Sequence, residues 1–147
     1  MRVDEYRHEF VEFIPREISE AVLYVSIPYG TAAHLCACGC KTKVVTPITP
    51  ARWKLIYDGE TISLDPSIGN WQFPCRSHYW IKRNRVHWSR TFSDAEIAAG
   101  RRSDEEDLRR YFAGKSQTDS QSARIPEAKR WSVASLVGRL LKRASRK

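Results

Sequence analysis

The four cysteines of this 147-residue chain are confined to two short segments, and this placement constrains the fold more than any other feature. Cys36, Cys38 and Cys40 occupy alternate positions of the first segment, and Cys75 precedes His78 in the second. Structural zinc sites take four cysteine or histidine ligands in a tetrahedron. Because alternate residues of an extended segment point to the same side, two of the first three thiols can reach one ion. The sequence therefore predicts a single metal site built from both segments.

The most favourable ligand set is Cys36, Cys38, Cys75 and His78, with Cys40 able to replace either of the first two. One cysteine is then surplus to a four-coordinate site. We expect the surplus thiol to pack or to serve as an alternative ligand; the competing hypothesis is a nucleophile with a lowered pKa beside the metal. Ordinary buried cysteines are the alternative to a metal site as a whole.

Zinc is the expected metal, and an iron–sulfur cluster is the alternative. A Rieske [2Fe–2S] cluster needs two histidines on one iron, whereas the two segments here read CxC and CxxH. A compact cluster with three cysteines and one histidine fits poorly with the long interval between Cys38 and Cys75. His34 is a weaker ligand candidate. Clustered cysteines are typical of metal sites in reducing compartments, and neither a signal peptide nor a transmembrane segment is evident, so we expect a cytoplasmic protein.

Short runs rich in β-branched and aromatic residues predict seven or eight strands before Trp88. The expected strands are, in order, Phe10–Ile14, Ala21–Ile27, Val44–Thr46, Trp53–Tyr57, Thr61–Leu64, Tyr79–Lys82 and Arg85–Trp88. The first two are expected to pair as a hairpin. Asp58-Gly59 and Arg83-Asn84 predict tight turns, and Asp65–Asn70 predicts a loop. The predicted fold is mainly β, a small zinc-ribbon or Rieske-like β domain with a C-terminal helical extension.

Composition divides the chain into four segments. These are a β-rich metal-binding domain (1–92), a helical extension (93–113), a flexible linker (114–130) and a basic amphipathic helix (131–147). The charge is uneven, because Lys115–Lys147 contains nine basic and two acidic residues, a net of +7 out of +8. The basic tail therefore suits a nucleic acid, an anionic membrane surface or a partner groove, and packing on the domain is a further alternative. We prefer partner binding or packing on the domain, because the predicted linker places the helix independently.

The cysteine segments, together with Trp53-Lys54-Leu55 and the run Leu64-Asp65-Pro66-Ser67-Ile68-Gly69-Asn70-Trp71, resemble a family of small bacterial proteins of unknown function. Its signature is CxCxC followed by PCxSHxWI, and the resemblance covers about residues 9–90. Members of that family are often encoded beside ubiquitin-like conjugation genes, namely a multi-ubiquitin-like protein, E1-like and E2-like enzymes and a JAB-type peptidase. The resemblance implies a metal-binding accessory protein with a substrate-selecting or E3-like role, and a conjugation enzyme as its partner.

The sequence favours interaction over catalysis. It contains no Ser/His/Asp or Cys/His pattern with recognisable spacing, so the catalytic residues are left unassigned. The first hypothesis is a zinc-stabilised module that binds a protein through the aromatic residues Trp71, Tyr79, Trp80 and Trp88. The second is a zinc-dependent nucleic-acid-binding module, supported by the basic tail and by Arg76, Lys82, Arg83, Arg85 and Arg90. The third is a Rieske-like redox protein.

Overall fold

The computed structural model describes residues 1–122, with side chains to residue 116. It contains eight strands and one helix, which are β1 Arg7–Phe10, β2 Val22–Ser26, β3 Thr31–Leu35, β4 Lys43–Pro47, β5 Lys54–Tyr57, β6 Ile62–Gly69, β7 His78–Lys82, β8 Arg85–Trp88 and α1 Asp94–Ser122. The predicted basic helix of residues 131–147 lies outside the described residues. No helix among the described residues is both long and apolar enough to cross a membrane.

The strands form two four-stranded sheets, which confirms the predicted mainly β fold with a helical extension. The first sheet has the order β1-β2-β3-β4 and the second β5-β6-β7-β8. Both sheets and the first part of α1 belong to one compact unit, Met1–Tyr111. Its core takes side chains from both sheets, including Leu23 and Val25 of β2 and Leu64 of β6. Each such side chain contributes about 1.5–3 kcal/mol when fully buried.

Both predicted tight turns are confirmed. Asp58-Gly59 joins β5 to β6, where the Asp58 carboxylate accepts hydrogen bonds from the Glu60 and Thr61 amides at 3.0 and 2.6 Å. Arg83-Asn84 joins β7 to β8, with φ angles of 48° and 66°. Left-handed φ values at both central residues are those of a type I′ hairpin turn, whose twist matches that of the flanking strands.

The predicted hairpin at the N-terminus is wrong. Strand β1 ends at Phe10 and pairs with β2 in parallel, with Arg7 opposite Val22. A parallel neighbour requires a crossover longer than a hairpin turn, and residues 11–21 provide it. The aromatic side chain that suggested a longer strand, Phe13, is 61% exposed and packs against Tyr29 with ring centroids 5.1 Å apart.

Strand β6 continues through residues 65–69, where the sequence predicted a loop. Its pairing with β7 shifts register between Leu64 and Ile68. Pro66 has no N–H to donate to a neighbouring strand, and prolines within sheets are found at such irregular positions. The irregular part of β6 contains Ser67, which matters for the site below.

Helix α1 begins with a capping box, because the Ser93 amide donates to the Glu96 carboxylate at 2.8 Å and the Glu96 amide donates to the Ser93 hydroxyl at 3.3 Å. The helix extends to Ser122, beyond residue 113 and into the segment predicted as linker. Residues 114–122 contain no proline, so the backbone there can continue the helical hydrogen bonding.

Candidate functional site

The first cysteine segment is a tight turn between β3 and β4. The Cys36 amide donates to the Thr42 carbonyl at 2.8 Å, and the Gly39 amide donates to the Cys36 carbonyl at 3.0 Å. Gly39 has a φ of 88°, and a Cβ at this position would overlap the Met1 carbonyl. Glycine is therefore required both by the backbone angle and by the close approach of another chain segment.

The turn and the second segment bring all four cysteines together. Their sulfur atoms lie within 4.8 Å of one another, with 3.4 Å between Cys36 and Cys38, 3.9 Å between Cys36 and Cys75, and 3.8 Å between Cys40 and Cys75. Zinc–thiolate bonds are about 2.3 Å long, so the edge of a tetrahedral zinc–sulfur site is about 3.8 Å. The four thiols therefore fit a tetrahedral metal site.

Ionisation of the Cys36 and Cys38 thiols is unfavourable when no cation is bound. Burial raises the pKa of both. A hydrogen bond with the Thr42 hydroxyl lowers the pKa of the exposed Cys40 thiol to about 6. Because a bound metal cation favours thiolates, it would offset the burial at the first two positions. This donor set thus gains from metal binding where it is most buried.

His78 lies outside the sulfur cluster. The structure brings together Cys36, Cys38, Cys40 and Cys75, which leaves no cysteine surplus if all four bind one ion. The predicted ligand set that included His78 stays a prediction, and a four-cysteine set is the alternative that the geometry favours. His34 is also separate, because its buried ring bonds the Tyr79 hydroxyl at 2.9 Å. A Rieske centre requires two histidines, and the group contains none.

The imidazole of His78 contacts a serine. Its Nε2 lies 2.9 Å from Ser67 Oγ, and its Nδ1 lies 3.3 Å from the Arg90 carbonyl oxygen. His78 is the first residue of β7 and pairs with Gly69, two residues after Ser67. The register of the two strands thus brings the histidine beside the irregular part of β6. His78 is 5% exposed, whereas Ser67 is half-buried.

Aromatic rings enclose this histidine. The ring centroids of Trp71, Phe92 and Trp80 lie 4.8, 4.5 and 5.5 Å from that of His78. Trp71 also stacks on Phe92 at 5.3 Å. These rings restrict the imidazole to the orientation in which Nε2 faces Ser67, and they reduce its contact with water.

Ser67 and His78 line a cleft of about 620 Å³. Trp53, Trp71 and Phe92 contribute to its walls, and side chains of α1 complete the lining. The volume is in the range of ligand-binding clefts, about 300–1,000 Å³. Another cavity, of about 610 Å³, includes Tyr6, Val22 and Asn84 in its lining, which contains neither cysteine nor histidine. The cleft therefore holds the chemically significant pair.

Residues 10–89 match the model of a family described as BubE, "Bacterial ubiquitination-like system serine protease". The chain belongs to this family. The match confirms the predicted link to a bacterial ubiquitin-like system, and it spans the four cysteines together with Ser67 and His78. No curated protein and no solved structure matches the chain.

Sequence reasoning missed the contact between Ser67 and His78 in this BubE-family chain. The residue stood in the Pro66–Asn70 segment, which was a specific part of the resemblance but was interpreted as a loop. The available signal was a serine in the motif Pro66-Ser67-Ile68-Gly69, to which no role had been assigned. The contact with His78 is not apparent in sequence spacing because it depends on the register of β6 and β7.

Three of the basic residues proposed for nucleic-acid binding have partners within the BubE-family domain. Arg76 pairs with Asp94 and Arg90 with Glu96, each at 2.5 Å. The Lys82 ammonium lies 5.5 Å from the centroid of the Trp80 ring. These contacts favour a structural role for the three cations.

Proposed function

We propose that this chain is a serine hydrolase of a bacterial ubiquitination-like system, with Ser67 as nucleophile and His78 as general base. Its substrate is a ubiquitin-like modifier, and the bond that it cleaves is the acyl bond at the modifier's C-terminus. The observation that carries the proposal is the 2.9 Å contact between His78 Nε2 and Ser67 Oγ in the cleft. The description of the family as a serine protease supports it.

The partners of the imidazole determine its tautomer. A carbonyl oxygen can only accept a hydrogen bond, so Nδ1 must carry the proton that it donates to the Arg90 carbonyl. In the neutral ring, Nε2 then holds a lone pair and accepts the hydrogen bond from the Ser67 hydroxyl. This is the arrangement that a general base needs in order to activate serine.

The reaction follows from this arrangement. Ser67 Oγ attacks the carbonyl carbon while its proton moves to His78 Nε2. His78 then returns that proton to the leaving amine or alcohol, and an acyl-Ser67 ester remains. A water molecule then attacks the ester in the same way, with His78 again as the base. This step releases the carboxylic acid and restores the Ser67 hydroxyl.

A carbonyl orients His78, whereas a carboxylate orients the histidine of a Ser-His-Asp triad. A neutral dipole stabilises the imidazolium intermediate less than a charge does. The rings of Trp71 and Phe92, with centroids 4.8 and 4.5 Å from that of His78, lie within the distance of about 6 Å over which aromatic rings attract cations.

The metal in the proposal is Zn²⁺ bound by Cys36, Cys38, Cys40 and Cys75. A site closed by four protein thiolates is structural, because it leaves no open position for a substrate. When bound, the ion supplies folding free energy by joining the two cysteine segments. The hydrolytic steps are carried out by Ser67 and His78.

A non-catalytic E3-like or substrate-selecting role is the second candidate, with a conjugation enzyme as partner in the cytoplasm. It is favoured by an exposed aromatic cluster of His8, Phe10 and Tyr57, whose ring centroids are 5.2–5.7 Å apart. Phe10 and Tyr57 are 48% and 49% exposed. Exposed aromatic residues are enriched where proteins bind one another.

The test uses purified full-length chain, a fluorophosphonate probe, and a bacterial ubiquitin-like modifier fused through its C-terminus to a reporter. Wild type should label on Ser67 and release the reporter. Ser67→Ala should abolish both activities, and His78→Asn should slow them about 10²–10⁴-fold. Ser63→Ala is the matched control on the same strand, since Ser63 accepts a hydrogen bond from the Arg83 amide, and it should behave as wild type.

Full activity of Ser67→Ala would overturn the hydrolase proposal. So would a wild-type protein that binds the modifier yet neither reacts with the probe nor cleaves the fusion, and that outcome would favour the accessory role.

A further inference from the structure

Asn70 joins the end of β6 to the residue that precedes His78. Its backbone amide donates to the Ser77 carbonyl at 2.9 Å, and its side-chain Nδ2 donates to the Ser77 hydroxyl at 2.9 Å. This double link lies one position beyond the Gly69–His78 pair of the two strands. Asn70 thus fixes both the backbone and the side chain of the residue next to the proposed base.

The same two residues contact the sulfur cluster. Ser77 Oγ lies 3.1 Å from Cys36 Sγ, and Asn70 Nδ2 lies 3.6 Å from that sulfur. If Cys36 is a metal-bound thiolate, it accepts a hydrogen bond from the Ser77 hydroxyl, and Ser77 Oγ then accepts the hydrogen bond from Asn70. Each donor in the series Asn70–Ser77–Cys36 then has an acceptor. Asn70 and Ser77 are each 7% exposed, so water competes little for these bonds.

The loop between Asn70 and Ser77 contacts both the sulfur cluster and the Ser67–His78 pair. Cys75 belongs to the sulfur cluster, and Trp71 packs against the His78 ring. Phe73 donates its amide to the Asn70 carbonyl at 3.0 Å, which folds the loop back onto its first residue. Displacement of the cluster would therefore act on His78 through both ends of the loop.

We propose that Asn70 is a positioning residue that links the geometry of the Ser67–His78 pair to the metal-loaded state of the cysteine cluster. This inference rests on the proposed hydrolase function. The metal ion touches no reacting atom, but it keeps Cys36 as a thiolate acceptor for Ser77. Its removal weakens the Cys36–Ser77–Asn70 series of hydrogen bonds, and with it the alignment of His78 with Ser67. Hydrolysis consequently requires the metal for geometry.

The test compares zinc-loaded wild type with Asn70→Ala and Asn70→Asp, which remove or reverse the hydrogen-bond donor and leave all four thiols in place. Asn84→Ala is the matched control, because Asn84 Oδ1 accepts from the Ile62 amide at the opposite end of β6. Three quantities are measured on each protein. These are zinc per chain, the NMR signals of the His78 imidazole, and the rate of fluorophosphonate labelling.

We expect the zinc-loaded Asn70 variants to shift or broaden the His78 signals and to label about 10- to 100-fold more slowly than wild type. Asn84→Ala should leave both readouts unchanged. Removal of zinc from wild type with a chelator should change the His78 signals reversibly. The inference is overturned if the zinc-loaded Asn70 variants keep the wild-type His78 spectrum and labelling rate, or if chelation leaves that spectrum unchanged.

The NMR signals of His78 test the role of Asn70 independently of the proposed hydrolase function. If Ser67→Ala retains activity, the hydrolase proposal fails, while the response of the His78 signals still reports whether Asn70 couples them to the metal.

Discussion

The indole of Trp71 packs directly against the backbone of Gly69. A Cβ atom at Gly69 would overlap the indole nitrogen and two ring carbons. Gly69 pairs with His78 across the two strands, and the indole lies 4.8 Å from the imidazole between ring centroids. Because Gly69 has no side chain, the Trp71 indole can lie against its backbone and cover the His78 ring.

Gly69→Ala should impair the site more than the fold. The added methyl group must push Trp71 away from His78, which we expect to slow fluorophosphonate labelling at least about tenfold. Overpacking of this kind costs about 1–3 kcal/mol of unfolding free energy. Labelling kinetics and urea denaturation measure the two effects. Gly100→Ala is the stability control, because no atom lies near that position and alanine favours helix by about 1 kcal/mol. A wild-type labelling rate in Gly69→Ala would show that Trp71 need not stay in place.

Metal analysis of single variants should distinguish the two ligand sets. With four thiolate ligands, serine at Cys36, Cys38, Cys40 or Cys75 should each weaken zinc binding and lower thermal stability, because metal binding is part of the folding free energy. His78→Asn should keep about one zinc per chain, as expected for a tetrahedral site that His78 does not enter. Full zinc affinity in Cys40→Ser, together with loss of zinc in His78→Asn, would instead restore the set in which His78 is a ligand.

Features that depend on a few neighbouring residues could be predicted from the sequence. The two tight turns followed from residue types that accept left-handed or compact backbone, such as Gly59 and Asn84. The gathering of the cysteines followed from their confinement to two segments. Each of these signals is local, and the rest of the chain had little influence on it.

Features that depend on strand register were not predictable in this way. Ser67 and His78 meet because β6 and β7 pair with a shift between Leu64 and Ile68, and no local pattern specifies that shift. The sequence pattern placed His78 in the metal site and gave no indication of its contact with the Ser67 hydroxyl. The predicted hairpin of the first two strands was wrong for the same reason, since the parallel pairing of β1 with β2 depends on how residues 11–21 return along the sheet.

The β7–β8 turn offers a simple gain in stability. Arg83 has a φ of 48° and an exposed side chain, and a left-handed backbone is unfavourable for most residues with a side chain. Asparagine tolerates this conformation, and the backbone amide that donates to Ser63 would be kept. Arg83→Asn should therefore raise the free energy of unfolding by about 0.5–1 kcal/mol in urea denaturation. Lys82→Asn serves as the control one residue earlier in β7, where no such gain is expected. A loss of stability in Arg83→Asn would mean that the arginine side chain makes a contribution larger than its backbone cost.

Acid should loosen the start of α1 through Glu96. The Arg90 guanidinium, with help from the Ser93 amide, lowers the pKa of the Glu96 carboxyl from 4.5 to about 2. Because the folded pKa is the lower one, this stabilisation is complete above about pH 4.5 and is lost as the pH falls towards 2.

The Ser93 amide signal in NMR should follow the Glu96 titration in wild type, and Glu96→Gln should abolish this pH dependence. Glu105→Gln, at an ion pair further along the helix, should leave it unchanged. Release of metal in acid affects all three proteins, so the difference between wild type and Glu96→Gln isolates the carboxylate. An unaltered Ser93 titration in Glu96→Gln would contradict the assignment. Since the Arg90 carbonyl also orients His78, Glu96→Gln should in addition slow labelling severalfold at neutral pH, where the wild-type carboxylate is ionised.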